Sequence, residues 1–257
     1  MERPSTPAAD TLTLLPVGVG TAYARQGEVQ SSYLVRAPEV QVALDLGAGA
    51  LNRLQAHVAP EALDALVITH MHPDHCADLL SLRVYMAWGP GRGHRLRVIG
   101  PPELRDALVA FSGSEGWDAL AFEPLADAGG ELELGGGLTL RHEQVPHLDP
   151  THALRLEHGG KALCFSADCA DNPTLPRLAE GVDLLLCECS FGADPVPDGV
   201  PHLNAGHAGR IAAQAGAGRL LLTHCYPEFD RDAALEAARE ASGLPVSWAR
   251  QDEAVAA

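Results

Sequence analysis

Short apolar runs alternate with amphipathic ones along most of this chain. Residues Thr11 to Val17, Gln30 to Ala37 and Val40 to Gly47 are β-prone runs set off by Gly and Pro, which predicts strands joined by tight turns. Residues 47–58 read as a helix, and the apolar run Leu63 to Ile68 that follows has the length and branched residues of a buried strand. A helix is expected over Asp74 to Trp88, then a strand over Arg95 to Gly100 and a helix over 101–111 that opens on proline. A glycine-rich stretch, Gly129 to Gly137, leads to four more strand-like runs, LTLRHEQVPH, HALRLEH, KALCFSAD and VDLLLCECS. The remainder reads helix, strand, helix, strand. No fixed-period repeat or low-complexity linker breaks the order. The pattern predicts an α/β fold, and two sheets with helices outside would use up these elements as one αββα sandwich. One domain over residues 1–257 is expected, with residues 1–10 as a flexible N-terminus.

Composition adds exclusions. With 257 residues and 46% hydrophobic positions, the chain has enough apolar side chain to bury a core. No apolar run approaches the ~20 residues that span a bilayer, and the N-terminal decapeptide lacks the charged-then-apolar order of a signal peptide. A cytoplasmic protein without a membrane partner is expected. The formal net charge of −16 argues against a broad nucleic-acid-binding face, which needs clustered Lys and Arg. Six cysteines lie scattered in apolar or motif segments, so reduced thiols are expected rather than a disulfide framework. Gly18 and Gly20 do not match a dinucleotide fingerprint and predict a plain turn.

Candidate chemistry begins at His70-Met71-His72-Pro73-Asp74-His75, directly after the predicted strand Leu63 to Ile68. Alternate side chains of an extended segment face the same way, so His70 and His72 would project together toward one metal ion. Asp74 and His75 open the next helix and could reach a second. Imidazole and carboxylate suit zinc or a similar divalent cation. Three later positions also carry a metal-capable side chain where an apolar run stops: His147, Asp168 and His224. The seven together would give each of two ions three or four ligands, with Asp168 as the bridge because a carboxylate has two oxygens.

With those residues the chain resembles the metallo-β-lactamase fold, and specifically the phosphodiesterase branch that includes ribonuclease Z. Ser166-Ala167-Asp168-Cys169 is similar to the segment bearing that family's bridging aspartate. The resemblance implies that His70, His72, His147 and Asp168 hold one ion, and Asp74, His75, Asp168 and His224 the other. It also implies that Asp45 lies beneath the metal site; from its own surroundings Asp45 reads equally well as a strand-end turn residue. Where ribonuclease Z carries His-Glu-Ala-Thr, this chain has Cys187-Glu188-Cys189-Ser190, and His202-Leu203-Asn204-Ala205 stands where that family has a histidine meeting the scissile phosphate. An arm that grips transfer RNA is missing: 20 residues separate His147 from Asp168, and two strands fill them. The short-armed relatives most resembled are small bacterial proteins related to atypical class II cyclic-nucleotide phosphodiesterases.

The implied activity is hydrolysis of a small phosphodiester by a hydroxide shared between two ions, Zn2+ first and Mn2+ as the alternative. Asp74 would orient the hydroxide or take its proton, His202 would stabilise or protonate the departing oxygen, and Glu188 would fix the tautomer of His202. From its own surroundings Glu188 reads equally well as a buried structural acid. A ribonuclease Z-like nuclease, a lactone or thioester hydrolase, and a metal-bound sensor without turnover are the competing readings, and a homodimer is left open. His152 could line the pocket or be an ordinary strand residue, His207 is expected to be exposed on a helix, and loops near Arg25, Tyr85, Trp88 and Arg155 are candidates for specificity.

Overall fold

The computed structural model describes residues 11–148 and 150–257; the expectation for residues 1–10 lies outside the described residues. Strands β1 (Thr13–Gly18), β2 (Ser32–Ala37), β3 (Val40–Leu44), β4 (Ala65–Val67), β5 (Leu96–Gly100) and β6 (Leu120–Pro124) belong to one sheet. Strands β7 (Gly130–Gly135), β8 (Leu138–Val145), β9 (Thr151–His158), β10 (Lys161–Phe165), β11 (Leu184–Glu188), β12 (Leu220–Thr223) and β13 (Val246–Trp248) form the second, and β14 (Val255–Ala256) returns to the first. Their orders are β14-β1-β2-β3-β4-β5-β6 and β13-β12-β11-β10-β9-β8-β7. Both sheets are mixed: hairpin-linked antiparallel strands at one side give way to parallel β3-β4-β5-β6 in the first and β10-β11-β12-β13 in the second.

The helices are α1 (Ala50–Leu54), α2 (Pro73–Cys76), α3 (Leu79–Trp88), α4 (Leu104–Ser112), α5 (Thr174–Leu178), α6 (Ala205–Ala215) and α7 (Arg231–Ser242). The apolar residues sort into three buried layers, which is why two sheets and two helical faces stack as an αββα sandwich. Between the sheets lie Val35, Val42, Leu44 and Val67 against Leu140, Leu154, Leu163, Phe165 and Leu186. Leu54, Leu66, Ile68, Leu79, Leu82 and Leu104 pack α1, α3 and α4 on the outer face of the first sheet. Leu175, Ala208, Ile211, Ala212, Leu222 and Ala234 do the same for α5, α6 and α7 on the second. Close approach of α6 and α7 depends on Gly209, where a Cβ would stand 2.6 Å from the Ala238 carbonyl oxygen.

Two differences from the sequence expectations have physical reasons that the structure shows. The helix expected over Asp74 to Trp88 is two helices broken at Ala77-Asp78. The Asp78 carboxylate accepts from the Leu51 N–H at 2.8 Å, so it serves the start of α1 rather than its own helix. Strand β7 was hidden because GELELG is a polar edge strand in which Leu134 alone is buried, which leaves no apolar run to see. The short β6 and the two-residue β14 also escaped the pattern, and the helix expected over 47–58 shrinks to α1.

Every motif position falls at one edge of the sandwich, at or just beyond the carboxyl ends of β3, β4, β8, β10, β11 and β12. Such an edge is where parallel sheets present their chemistry. Two backbone hydrogen bonds tie the layers together there, His152 N–H to Thr69 O at 3.1 Å and His224 N–H to Val19 O at 3.3 Å. A third link is the Tyr33 hydroxyl, 2.6 Å from Thr223 Oγ1 inside the core.

Candidate metal centre

Beyond β4 the chain leaves the ladder, so His70 and His72 stand on the loop after the strand rather than on the strand itself. They nevertheless point together. Ring centroids of His70 and His72 are 4.7 Å apart, and His147, arriving from the loop after β8, sits 5.1 Å from the first and 4.9 Å from the second. Donor atoms of these three lie within 4.8 Å of one another.

Pro73 starts the single turn of α2, which turns Asp74 and His75 inward. The turn is clamped by the segment after β3: the Leu46 N–H donates to His75 O at 2.7 Å, and the Asp78 N–H donates to Leu46 O at 3.1 Å. Gly47 completes the clamp because a Cβ there would meet the Asp74 carbonyl oxygen at 2.1 Å. A second group results, in which Asp74, His75, Asp168 and His224 offer donor atoms within 4.8 Å of one another, all four buried. His224 Nε2 lies 3.2 Å from Asp74 Oδ2 and 3.5 Å from Asp168 Oδ2, while His75 Nε2 is 3.4 Å from Asp168 Oδ2. Asp168 also groups with His147 and His202, so it stands between the two clusters. All seven residues expected from the sequence are therefore brought to one place.

Three residues at this edge have left-handed backbone without being glycine: Asp45 (φ 58°), Ala167 (φ 52°) and His224 (φ 52°). Such conformations cost about 1–3 kcal/mol each and persist where surrounding contacts demand them. Here each one turns the chain sharply at the end of a strand and aims a side chain, its own or that of Asp168, into the centre.

Two buried carboxylates orient the imidazoles from behind. Asp45 accepts from the Thr69 N–H at 2.8 Å, from the Thr69 hydroxyl at 3.0 Å, and from His75 Nδ1 at 2.7 Å. The Thr69 hydroxyl in turn lies 3.0 Å from His70 Nδ1. Glu188, fully buried at the end of β11, lies 2.9 Å from His202 Nδ1 through Oε1 and accepts the Ser190 hydroxyl at 2.8 Å through Oε2. With Nδ1 engaged, each ring turns Nε2 toward the centre.

The electrostatics follow from burial and neighbours. Burial raises the Asp45 pKa. Burial also works to raise Asp168, but the neighbouring His224 and His75 hold its carboxyl well below the usual range. Burial pushes His70 well down and His75 adds to that. For His75 the penalty of burial is outweighed by Asp168 and Asp45, which carry it well up. Burial likewise opposes charge on His202, yet Glu188 prevails and its pKa rises to about 9.

The donor set fits divalent cations. Nε2 of His70 and of His75 is buried without a hydrogen-bond partner. Orphaned nitrogens of that kind cost roughly 1–3 kcal/mol each unless something binds them. Both belong to clusters of mixed imidazole and carboxylate donors, the chemistry that zinc-type ions take.

Other expectations resolve less centrally. His152 is a buried residue of β9 whose Nδ1 lies 3.1 Å from His142 Nδ1, which makes it a packed strand residue. His207 is half-buried rather than exposed; its N–H donates to Asn204 Oδ1 at 2.8 Å and its Nδ1 accepts from the Asn204 N–H, capping α6. Arg155 is spent on Glu157 and on the carbonyls of Leu178 and Glu180, and Tyr85 donates to Glu61. Arg25 braces the loop after His224 through the carbonyls of Tyr226 and Phe229. All six cysteines are buried, and among the described residues none forms a disulfide. Among the described residues, no helix is long and apolar enough to cross a membrane. The sequence assigns no role to Thr69 or Ser190; the available signal is a hydroxyl residue directly before His70 and another two positions after Glu188.

Comparison with known proteins agrees with this geometry. The family described as the beta-lactamase superfamily domain matches residues 43–225, which contain all seven clustered residues. An uncharacterized protein of Mycobacterium tuberculosis is 34% identical over 230 residues, covering 87% of this chain and 84% of that one. A ribonuclease Z of Mycobacterium sp. (strain KMS) is 29% identical over 243 residues, covering 84% of each. The probable metallo-hydrolase YhfI of Bacillus subtilis is 30% identical over 216 residues, covering 83% of this chain and 86% of that one. Its crystal structure superimposes with a TM-score of 0.87 at 26% identity, over 96% of this chain and 100% of that one. The chain belongs to the β-lactamase superfamily, as a metallo-hydrolase with the metallo-β-lactamase fold.

Proposed function

We propose that this protein is a dinuclear metal-dependent phosphodiesterase acting on a small phosphodiester such as a cyclic nucleotide. The observation that carries this reading is the Glu188–His202 pair, 2.9 Å apart, with the donor atoms of His202 grouped with those of His147 and Asp168. An alkoxide leaving from phosphorus, like one leaving from the carbonyl of an ester or lactone, needs a proton, and a protonated imidazole beside the ligands supplies it. The relative named as a ribonuclease supports the same chemistry.

In this reading His70, His72, His147 and Asp168 hold one ion, and Asp74, His75, Asp168 and His224 the other. Zn2+ is the expected ion and Mn2+ the alternative; when bound, the pair supplies an activated water and neutralises charge gathering on the phosphate. Asp74 takes the proton of the attacking water. His202 donates its Nε2 proton to the departing oxygen, and Glu188 holds the Nδ1–H of the same ring so that Nε2 faces the substrate.

A small substrate is favoured over transfer RNA on two grounds. The formal net charge is −16, which repels a polyanion. The chain between His147 and Asp168 carries the hairpin of β9 and β10, with β9 ending at His158 and β10 beginning at Lys161, where an RNA-gripping arm would have to be inserted. The test is turnover by the metal-loaded protein of bis(p-nitrophenyl) phosphate, cyclic AMP and a lactone panel. Phosphodiester turnover with inert lactones supports the assignment; lactone turnover alone, or none, overturns it.

A further inference from the structure

Each of the two buried carboxylates behind the centre holds one histidine directly and a second through a hydroxyl. Asp45 lies 2.7 Å from His75 Nδ1, and through the Thr69 hydroxyl it reaches His70 Nδ1, 3.0 Å from that oxygen. On the opposite sheet Glu188 lies 2.9 Å from His202 Nδ1, and through the Ser190 hydroxyl it reaches His224 Nδ1, 3.1 Å from that oxygen. The first arrangement is built just beyond the ends of β3 and β4 and the second at the end of β11, yet both end in the same sequence of groups: carboxylate, hydroxyl, imidazole.

Proton accounting fixes what the hydroxyl does. Ser190 has one hydrogen, and its best acceptor is Glu188 Oε2 at 2.8 Å. The same carboxylate oxygen accepts the Ser190 N–H at 3.0 Å, which locks the residue against it. Glu188 Oε1 accepts the Cys169 N–H at 3.0 Å, so the carboxylate cannot swing away. With its hydrogen committed, Ser190 Oγ has only lone pairs to offer His224, whose Nδ1 must therefore carry the proton. His202 Nδ1 also lies within 3.2 Å of Ser190 Oγ, but its shorter bond is to Glu188. The consequence for His224 is that Nε2 is the nitrogen left to face the space shared with Asp74 and Asp168, 3.2 and 3.5 Å away, where a bound cation would take its lone pair. Ser190 and Glu188 are both fully buried, so water does not compete for these bonds.

We propose that Ser190 is a positioning residue that sets the tautomer of His224, so that one carboxylate, Glu188, orients both the proton donor His202 and a ligand of the second metal ion. This rests on the reading of His224 as a metal ligand given above. Loss of the hydroxyl removes the acceptor for Nδ1–H, frees the ring to take the opposite tautomer, and leaves the buried Glu188 Oε2 short of a donor. The ion held by Asp74, His75, Asp168 and His224 is the one affected, because none of the other three histidines is bonded to Ser190: His70 Nδ1 faces the Thr69 hydroxyl, His147 Nδ1 the Pro201 carbonyl, and His72 Nδ1 lies beside His147.

The test is zinc binding to the whole chain by chelator competition, without substrate, for wild type, Ser190→Ala and Ser190→Thr. Removing a group of this kind lowers metal affinity about 10–100-fold. Ser190→Ala is expected to weaken one zinc equivalent by that factor and leave the other unchanged, and Ser190→Thr to restore it. Equal binding by Ser190→Ala and wild type, equal weakening of both equivalents, or no restoration by threonine overturns the assignment. Should Ser190→Ala fail to fold, the ring nitrogens of His224 in zinc-loaded wild type decide by NMR: a protonated Nδ1 supports the role and a protonated Nε2 overturns it. A protein that binds two zinc ions in this manner but cleaves no phosphodiester would refute the proposed function and leave the role of Ser190 standing.

Discussion

Asp45 Oδ2 lies 2.7 Å from His75 Nδ1, and both side chains are fully buried. This contact is why His75 presents Nε2 to the centre, and it also compensates a carboxylate that burial would otherwise neutralise. Asp45→Asn keeps the shape but places an amide N–H₂ or a weaker acceptor against the imidazole. Metal affinity is expected to fall about 10–100-fold. Chelator competition on the purified variant checks this, and an unchanged affinity would remove Asp45 from the supporting role.

The Glu188–His202 pair makes a prediction about pH. In the proposed reaction His202 is the acid and has to be protonated; its pKa is raised to about 9, with burial opposing the charge and Glu188 favouring it. A raised pKa keeps the proton at neutral pH and gives it up as pH climbs, so activity should fall on the alkaline side. Two bound cations would repel the imidazolium and bring that limb below about 9. Glu188→Gln removes the main favourable charge and should move the limb further down. His202→Ala should lower kcat by roughly 10²–10⁴-fold. The kcat-pH profiles of the three proteins test all of this; an alkaline limb that does not move in Glu188→Gln separates the two residues.

Gly47 has no room for a side chain, because a Cβ would lie 2.1 Å from the Asp74 carbonyl oxygen. Gly47→Ala must push α2 away from the end of β3. Overpacking of this kind costs about 1–3 kcal/mol. Since α2 carries Asp74 and His75, activity should fall together with stability. Urea unfolding and turnover measured on the same preparation would show it, and a fully active, equally stable variant would contradict the clamp.

Removing metal should destabilise the fold. Ligand present at about 1,000 times its Kd stabilises by roughly 4 kcal/mol, and 1 kcal/mol corresponds to about 2–4 °C in a domain of this size. A chelator is therefore expected to lower Tm by roughly 8–16 °C for one site held at that saturation. Differential scanning calorimetry with and without chelator, followed by zinc addition, gives the shift and its reversal.

Much of the centre was legible before the fold was known, for reasons that lie in particular residues. His70, His72, Asp74 and His75 are close in sequence, and His147, Asp168 and His224 each follow an apolar run that ends at the same edge. Strand ends are geometric markers, so distant candidate ligands could be matched. The supporting groups were harder to see. Thr69 and Ser190 matter through single hydrogen bonds to neighbours defined only when β4 and β11 take their places. The break at Ala77-Asp78 was invisible because Asp78 is recruited by Leu51, 27 positions earlier in the chain. Strand β7 carried too few apolar residues to announce itself.

The most direct measurement is the metal content of the zinc-loaded chain by mass spectrometry under native conditions, for wild type and for Asp168→Ala. Two ions per wild-type chain are expected, with one or both lost when the carboxylate between the clusters is removed. A wild-type chain that binds one ion or none, or an Asp168→Ala chain that keeps both, would contradict the two-ion centre on which the proposed activity depends.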